Sequence, residues 1–411
     1  MVSKSSSSMI CDRVREDAAF VSGIAKHVRV LESADDAEKV MRVVERLGGW
    51  KALTFDTEMH VWPGMDLPEG SACRNENLKA LTVQYLLVVD AMNFCFWPVN
   101  DADHRGCCEP PPTDALQRST TTGDESKRGD NNNSCTGMEY EHLACGIRDM
   151  VLRDPKSISA ERLRVADDAW LYACLGAAPG AVRGVPLAKE RLRLVREVGD
   201  VLLSKFGGCA WTMVAQAGGS ASTLVDLIAT HFRGFQDHAV YRGRQVLMLK
   251  RAQIFVGDVW GAFLKYKDGR ENPISRDINS LTMFADYRVP AVLRAMNMLQ
   301  YSPELAAMVD NGELIASGSA METEIRTSTI HALERLRIAI QQRMTPSTTS
   351  SDMTPAGANS ARDDNDSTFN ALSSATHDTT INSVRLDWAL WHYGETMRDV
   401  MPHHRTITVY Y

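Results

Sequence analysis

Apolar residues along this chain recur mainly with the spacing of a helix. Over Ala34 to Leu47 they fall at Ala37, Val40, Val43, Val44 and Leu47, one stripe of a helical surface. Leu187 to Lys205, Ser220 to His231 and Met248 to Phe263 read the same way. Pro290 suits the first turn of a helix running to about Leu299, because its missing N–H has no partner there in any case. Ser319 and Glu322 have capping-box spacing ahead of a long helix, Ala320 to Gln342. Strand patterns are fewer. Thr82 to Val89, Ala52 to Asp56 and the tail Thr406 to Tyr411 carry the β-branched and aromatic runs that predict strands. The pattern predicts one mainly helical domain over 1–411 with a small β-sheet.

Two stretches break the pattern. Residues 100–137 hold Cys107-Cys108, Pro110 to Pro112, Thr120 to Thr122 and Asn131 to Asn133, and residues 344–378 are rich in Ser, Thr, Asp and Asn. Neither has the apolar material to offset the entropy of ordering the chain. Both are expected to be disordered insertions in the single domain, since the segments around them need one another.

Composition narrows the function. With 44% hydrophobic residues and 411 in all, the chain can bury a sizeable core. A net charge of −7 with no basic run argues against a long grip on a nucleic-acid backbone. No apolar run reaches membrane-spanning length, and Met1 to Asp17 has no apolar core of a signal peptide. The nine cysteines are odd in number and irregularly spaced, which suits reduced thiols in the cytoplasm better than disulfides or zinc. Phosphate-loop, dinucleotide, zinc-protease and nucleophile-elbow motifs are missing from the sequence.

Four segments set polar residues among apolar ones. Val88 to Pro98 leads into Asp90, Asn93 and a group of aromatics. That suits a slot for a base, or equally a strand end with turn hydrogen bonds. Phe232 to Asp237 places Phe235 and Asp237 at a helix exit, lining a pocket or packing inward. On the helix from Met248, Lys250, Gln253 and Gly257 share a face. The glycine would leave room for a ligand, with Asp258 at the edge and Ile254 turned to the core; the alternative is a solvated face. In Phe284 to Pro290, Asp286 and Tyr287 stand just ahead of a helix N-terminus, whose field favours an ionised carboxylate. Asp286 there is suited to steadying a cationic sugar, or simply to capping the helix.

In order, VVDAMNFCFWP, FRGFQDHAVYRGRQV, KRAQIFVGDVWGAF, LTMFADYRVP, METEIRTSTIHALE and the tail PHHRTITVYY resemble the queuosine salvage proteins, a family of queuosine 5′-phosphate N-glycosylase/hydrolases. The resemblance implies a fold like that of helix-hairpin-helix DNA glycosylases. It implies hydrolysis of queuosine 5′-monophosphate to queuine and ribose 5-phosphate, with no metal or organic cofactor. It makes Asp286 the expected catalytic carboxylate, with Lys250 in the same pocket. Asp90, Asn93, Phe235, Asp237, Gln253, Asp258, Tyr287, His403 and Arg405 become expected substrate-binding or supporting residues. The implied partner is a small nucleotide, with no extended nucleic acid and no membrane. A non-catalytic protein that binds queuine or modified tRNA, and a glycosylase acting on DNA or intact RNA, are the alternatives.

Overall fold

A computed structural model of the chain describes residues 9–49, 77–97, 138, 140–175, 185–264, 272–344 and 381–411. The strand expected at Ala52 to Asp56 and the insertions expected at 100–137 and 344–378, apart from Met344, lie outside the described residues.

Helices dominate. In chain order they are α1 (Ile10–Ile24), α2 (Asp36–Arg46), α3 (Leu78–Met92), α4 (Tyr140–Arg153), α5 (Ala160–Arg164), α6 (Asp168–Cys174), α7 (Ala188–Lys205), α8 (Ala210–Gln216), α9 (Ala221–His231), α10 (Lys250–Ala262), α11 (Arg288–Ala295), α12 (Pro303–Asp310), α13 (Ala320–Met344) and α14 (Ser383–Thr396). The helices expected around α2, α7, α9, α10 and α13 are where periodicity put them. The one expected from Pro290 ends at Ala295, and Leu299 lies instead in a strand. Ser319 Oγ accepts the Glu322 N–H at 3.3 Å, while the Glu322 carboxylate turns to the N–H of Gly318. The capping box is therefore displaced by one residue on its return bond.

Two small antiparallel sheets complete the described fold. β1 (Val28–Val30) pairs with β4 (Leu299–Tyr301), Val28 opposite Tyr301. β2 (His238–Tyr241) and β3 (Arg244–Leu247) form a hairpin, His238 opposite Leu247. Its turn, Arg242-Gly243, has positive φ at both residues, the geometry whose twist matches that of paired strands.

Two expected strands are not strands. Thr82 to Val89 lies inside α3, whose residues from Leu81 to Met92 are all buried. This helix touches α4, α7, α8 and α10 on its several sides. A helix covered all round carries no polar stripe, so its run of Thr, Val and Leu has no helical period to show. The tail makes one bridge, between Leu314 and Arg405, and then turns inward. Its Val409 packs against the cluster of Phe94, Cys95, Trp97 and Leu194, and Tyr411 is 1% exposed. Among the described residues no helix is long and apolar enough to cross a membrane.

Candidate active site

Asp286 stands at the end of an extended segment held from three helices. Gln253 of α10 exchanges hydrogen bonds with Thr282, donating to its Oγ1 at 2.9 Å and accepting its N–H at 2.8 Å. Asp387 of α14 accepts the Phe284 N–H at 2.9 Å. Arg326 of α13 donates to the Ala285 carbonyl at 3.0 Å. All three side chains are buried, where an unmade hydrogen bond is costly, so the path of residues 282–285 is closely specified. Asp286 Oδ1 then accepts the N–H groups of Arg288 and Val289, each at 3.0 Å. The carboxylate therefore caps α11 and lines a pocket with the same group. Capping and catalysis were alternatives in the sequence. Here they are compatible, since the cap uses one oxygen.

Lys250 opens α10 on the opposite wall. Its backbone N–H goes to Asp237 Oδ2 at 2.9 Å and its Nζ reaches the Asn93 carbonyl at 3.3 Å. That carbonyl lies just past the end of α3, and two buried arginines hold the neighbourhood in place. Arg251 donates to the Asp90 and Ala91 carbonyls at 3.2 and 2.7 Å. Arg191 donates to those of Met92, Phe94 and Cys95. Burial lowers the Arg191 pKa to about 9 and that of Arg251 to about 10. Both side chains serve as caps for orphaned helix carbonyls.

The charges around Lys250 are unequal. Burial raises Asp286, against the pull of Lys250 and of its two backbone donors, to about 6. The helix field thus does not hold it in the ordinary carboxylate range, because loss of water outweighs it. Asp90, fully buried on α3, is raised by burial to about 7, with Lys250 the main opposing charge. Asp258 of α10 and Asp387 are pushed further up, by burial first and by neighbouring carboxylates next. Burial lowers the Lys250 ammonium, against the pull of Asp286 and Asp90. Burial thus favours the protonated acid at Asp258 and Asp387, while Lys250 and two backbone donors oppose it at Asp286. A site with one carboxylate charged and others protonated holds an anion and hydrogen-bond donors together.

The pocket measures about 650 Å³, its mouth included, and is walled by Phe96, Tyr140, Phe284, Tyr287, Trp388 and Trp391. Lys250, Ile254 and Asp258 contribute from α10, at every fourth residue. This differs from the expected Lys250, Gln253, Gly257 face. A Cβ on Gly257 would meet the Phe284 ring at 2.7 Å, so the glycine admits a protein ring and not a ligand. Ile254 packs against the core as expected and also lines the pocket.

Of the expected site residues, Asn93, Lys250, Asp258, Asp286 and Tyr287 line this pocket. Asp90 lies behind Lys250 without lining it. Gln253 is turned to Thr282. Phe235 is not a stacking wall: it is 1% exposed and packs between Phe232 and the Arg251 guanidinium. Asp237 faces Arg326, at 2.9 and 2.6 Å, with both side chains 1% exposed. His403 borders a second, adjoining cavity. Arg405 is exposed and lies against Gly312, away from both cavities.

Asp387, Trp388 and Trp391 escaped the reading from sequence. A signal was there: SVRLDWALW sets one carboxylate inside an apolar helical stretch, with tryptophans one and four residues on. Tyr140, Phe284 and Tyr411 were missed as walls for want of any such mark. Among the described residues no cluster of His, Cys, Asp and Glu is arranged to hold a metal ion.

These features define a mainly helical protein with an aromatic pocket lined by Lys250 and the carboxyls of Asp258, Asp286 and Asp387. Residues 73–411 match the queuosine salvage protein family, and the chain belongs to that family. A queuosine 5′-phosphate N-glycosylase/hydrolase of Dictyostelium discoideum is 34% identical over 97% of this chain and 98% of its own. A protein of the same name from Sphaerobacter thermophilus is 32% identical over 80% of each chain. One from Mus musculus is 35% identical over 55% of this chain and 59% of its own.

Proposed function

We propose that this protein hydrolyses the N-glycosidic bond of queuosine 5′-monophosphate, freeing queuine and ribose 5-phosphate. The observation that carries the reading is Asp286, tied by one oxygen to a helix N-terminus and facing Lys250 in an aromatic pocket. As the bond from C1′ to the base breaks, its electron pair leaves with the base and the sugar gathers positive charge. The Asp286 carboxylate stabilises that charge and orients the incoming water. The water oxygen bonds to C1′, and one of its protons ends on the released base. A 7-deazaguanine has no N7 to protonate, so the base needs donors elsewhere on its edge. Asp258 and Asp387, whose buried carboxyls favour the protonated form, supply them.

Tyr287 and the tryptophans give the base its stacking faces. The acidic balance of the chain supports a free nucleotide over extended nucleic acid. The helical architecture suits the proposed likeness to helix-hairpin-helix glycosylases, with the whole chain as one catalytic domain. Incubating the protein with the nucleotide and assaying free queuine tests the reading. Tight binding without release would favour the accessory binding protein instead.

A further inference from the structure

Gly257 lies in the interior of α10, where glycine is less stable than alanine because it loses more backbone freedom on folding. The room it leaves is occupied. A Cβ there would lie 2.7 Å from Phe284 Cζ, 3.5 Å from Phe284 Cε1 and 3.3 Å from Val384 Cγ1 of α14. Carbon atoms in contact settle at about 3.5–4.0 Å. The tip of the Phe284 ring thus rests in a notch that glycine alone provides.

Phe284 is a wall of the pocket, and Gly257 is not. The ring therefore stands between the helix backbone and the cavity. Its root is held: Thr282 is tied to Gln253, the Phe284 N–H to Asp387 and the Ala285 carbonyl to Arg326. Val384, beside the ring, is fully buried. Farther along α14, Trp388 stacks on Trp260 of α10 with ring centroids 5.9 Å apart, which pins the two helices to each other. A close-packed interior yields towards empty space, and the empty space next to this ring is the pocket.

We propose that Gly257 is a specificity-determining position, which keeps the Phe284 ring drawn back against α10 so that the pocket takes a base with a bulky substituent. The inference rests on the proposed reaction for the identity of that base. Queuine is a 7-deazaguanine with a cyclopentenediol ring on an aminomethyl arm, far larger than the parent base. One methyl group at residue 257 would drive the ring tip about 1 Å into the pocket, and the lost depth falls on the larger base. Gly257 touches no ligand; it is a positioning residue that acts through Phe284.

The test is a double-substitution cycle of Gly257→Ala, Phe284→Leu and the two together, read by calorimetric binding of queuine and of 7-deazaguanine. Gly257→Ala is expected to weaken queuine binding roughly fivefold to a hundredfold, the scale of overpacking by one methyl group, and to leave 7-deazaguanine nearly unchanged. Leucine has neither Cε nor Cζ, so adding Gly257→Ala to Phe284→Leu should alter neither affinity. A general disturbance of α10 would not show that coupling. Equal losses for the two bases, or an undiminished loss in the Phe284→Leu background, would overturn the proposal. So would a Gly257→Ala protein that fails to fold, since the ring would then have no free side to move to. A crystal structure of Gly257→Ala gives a readout that needs no ligand: the Phe284 ring should be displaced into the pocket with the backbone of residues 282–285 in place. An unmoved ring, or α10 and α14 driven apart instead, also overturns it. If the cycle behaves as expected while the wild type leaves queuosine 5′-monophosphate intact, the proposed reaction fails and the role of Gly257 stands.

Discussion

Asp237 accepts the backbone N–H of Lys250 through the same oxygen that receives the Arg326 guanidinium. Its main-chain carbonyl takes the N–H groups of Met248 and Leu249. One residue outside the pocket thus fixes the start of α10, and with it the place of Lys250. Arg326 in turn holds the Ala285 carbonyl beside Asp286. The two facing walls of the pocket are therefore joined through a buried ion pair.

Breaking that pair from one side strands a buried guanidinium. Asp237→Asn should cost about 3–5 kcal/mol, the range for an uncompensated buried charge. Glu322, 3.3 Å from Arg326, offsets a part and favours the lower end. Urea denaturation reads the effect as a lower midpoint. A midpoint equal to that of the wild type would contradict this account of how the walls are joined.

Protons on the buried carboxyls should couple stability to pH in an unusual direction. Asp286 moves from 3.8 to about 6 on folding, and Asp90 from 3.8 to about 7. Between the two values the folded protein binds the proton more tightly than the unfolded chain. Stability from these groups therefore falls as pH rises through that window. Over pH 5.5 to 7.5 the urea midpoint of the wild type should fall more than that of Asp90→Asn, which carries no proton to lose. The paired curves test the cluster apart from other titrating groups, and identical slopes would refute it.

Much of the fold was legible because partly exposed helices such as α2 and α7 keep a polar face. α3 was not, since a helix buried on every side shows only its β-branched content. Lys250 and Asp286 were legible as charges in apolar surroundings. Asp237, Gln253 and Phe235 looked the same from sequence but support the walls, because a buried polar residue serves backbone and ligand with identical chemistry. Asp387 and Trp391 reach the pocket through tertiary packing of α14 against α11, a relation between distant segments that no local pattern carries.

The stretches 102–136 and 345–376 lie outside the described residues, and their expected role follows from composition. With little apolar content to bury, they should be replaceable by short linkers with folding and base release nearly intact. Circular dichroism and the queuine assay on the doubly shortened protein decide the matter. Collapse of both would show that these segments carry structure.

Asp286→Asn is the sharpest test of the reaction. The amide oxygen can still accept the N–H groups of Arg288 and Val289, so the cap on α11 and the fold should survive. What is lost is the negative charge facing the sugar, and with it the stabilisation of an oxocarbenium-like transition state. Single-turnover hydrolysis of the nucleotide should slow by roughly two orders of magnitude or more, the scale for one preorganised electrostatic group. Queuine binding should persist, because the stacking walls and Asp258 are untouched. Activity of the wild type should rise as pH passes about 6, where Asp286 ionises, and the variant's residual rate should lack that rise. A folded Asp286→Asn protein with near-normal turnover would move the reacting charge to Asp258 or Asp387, the other carboxyls on the pocket wall.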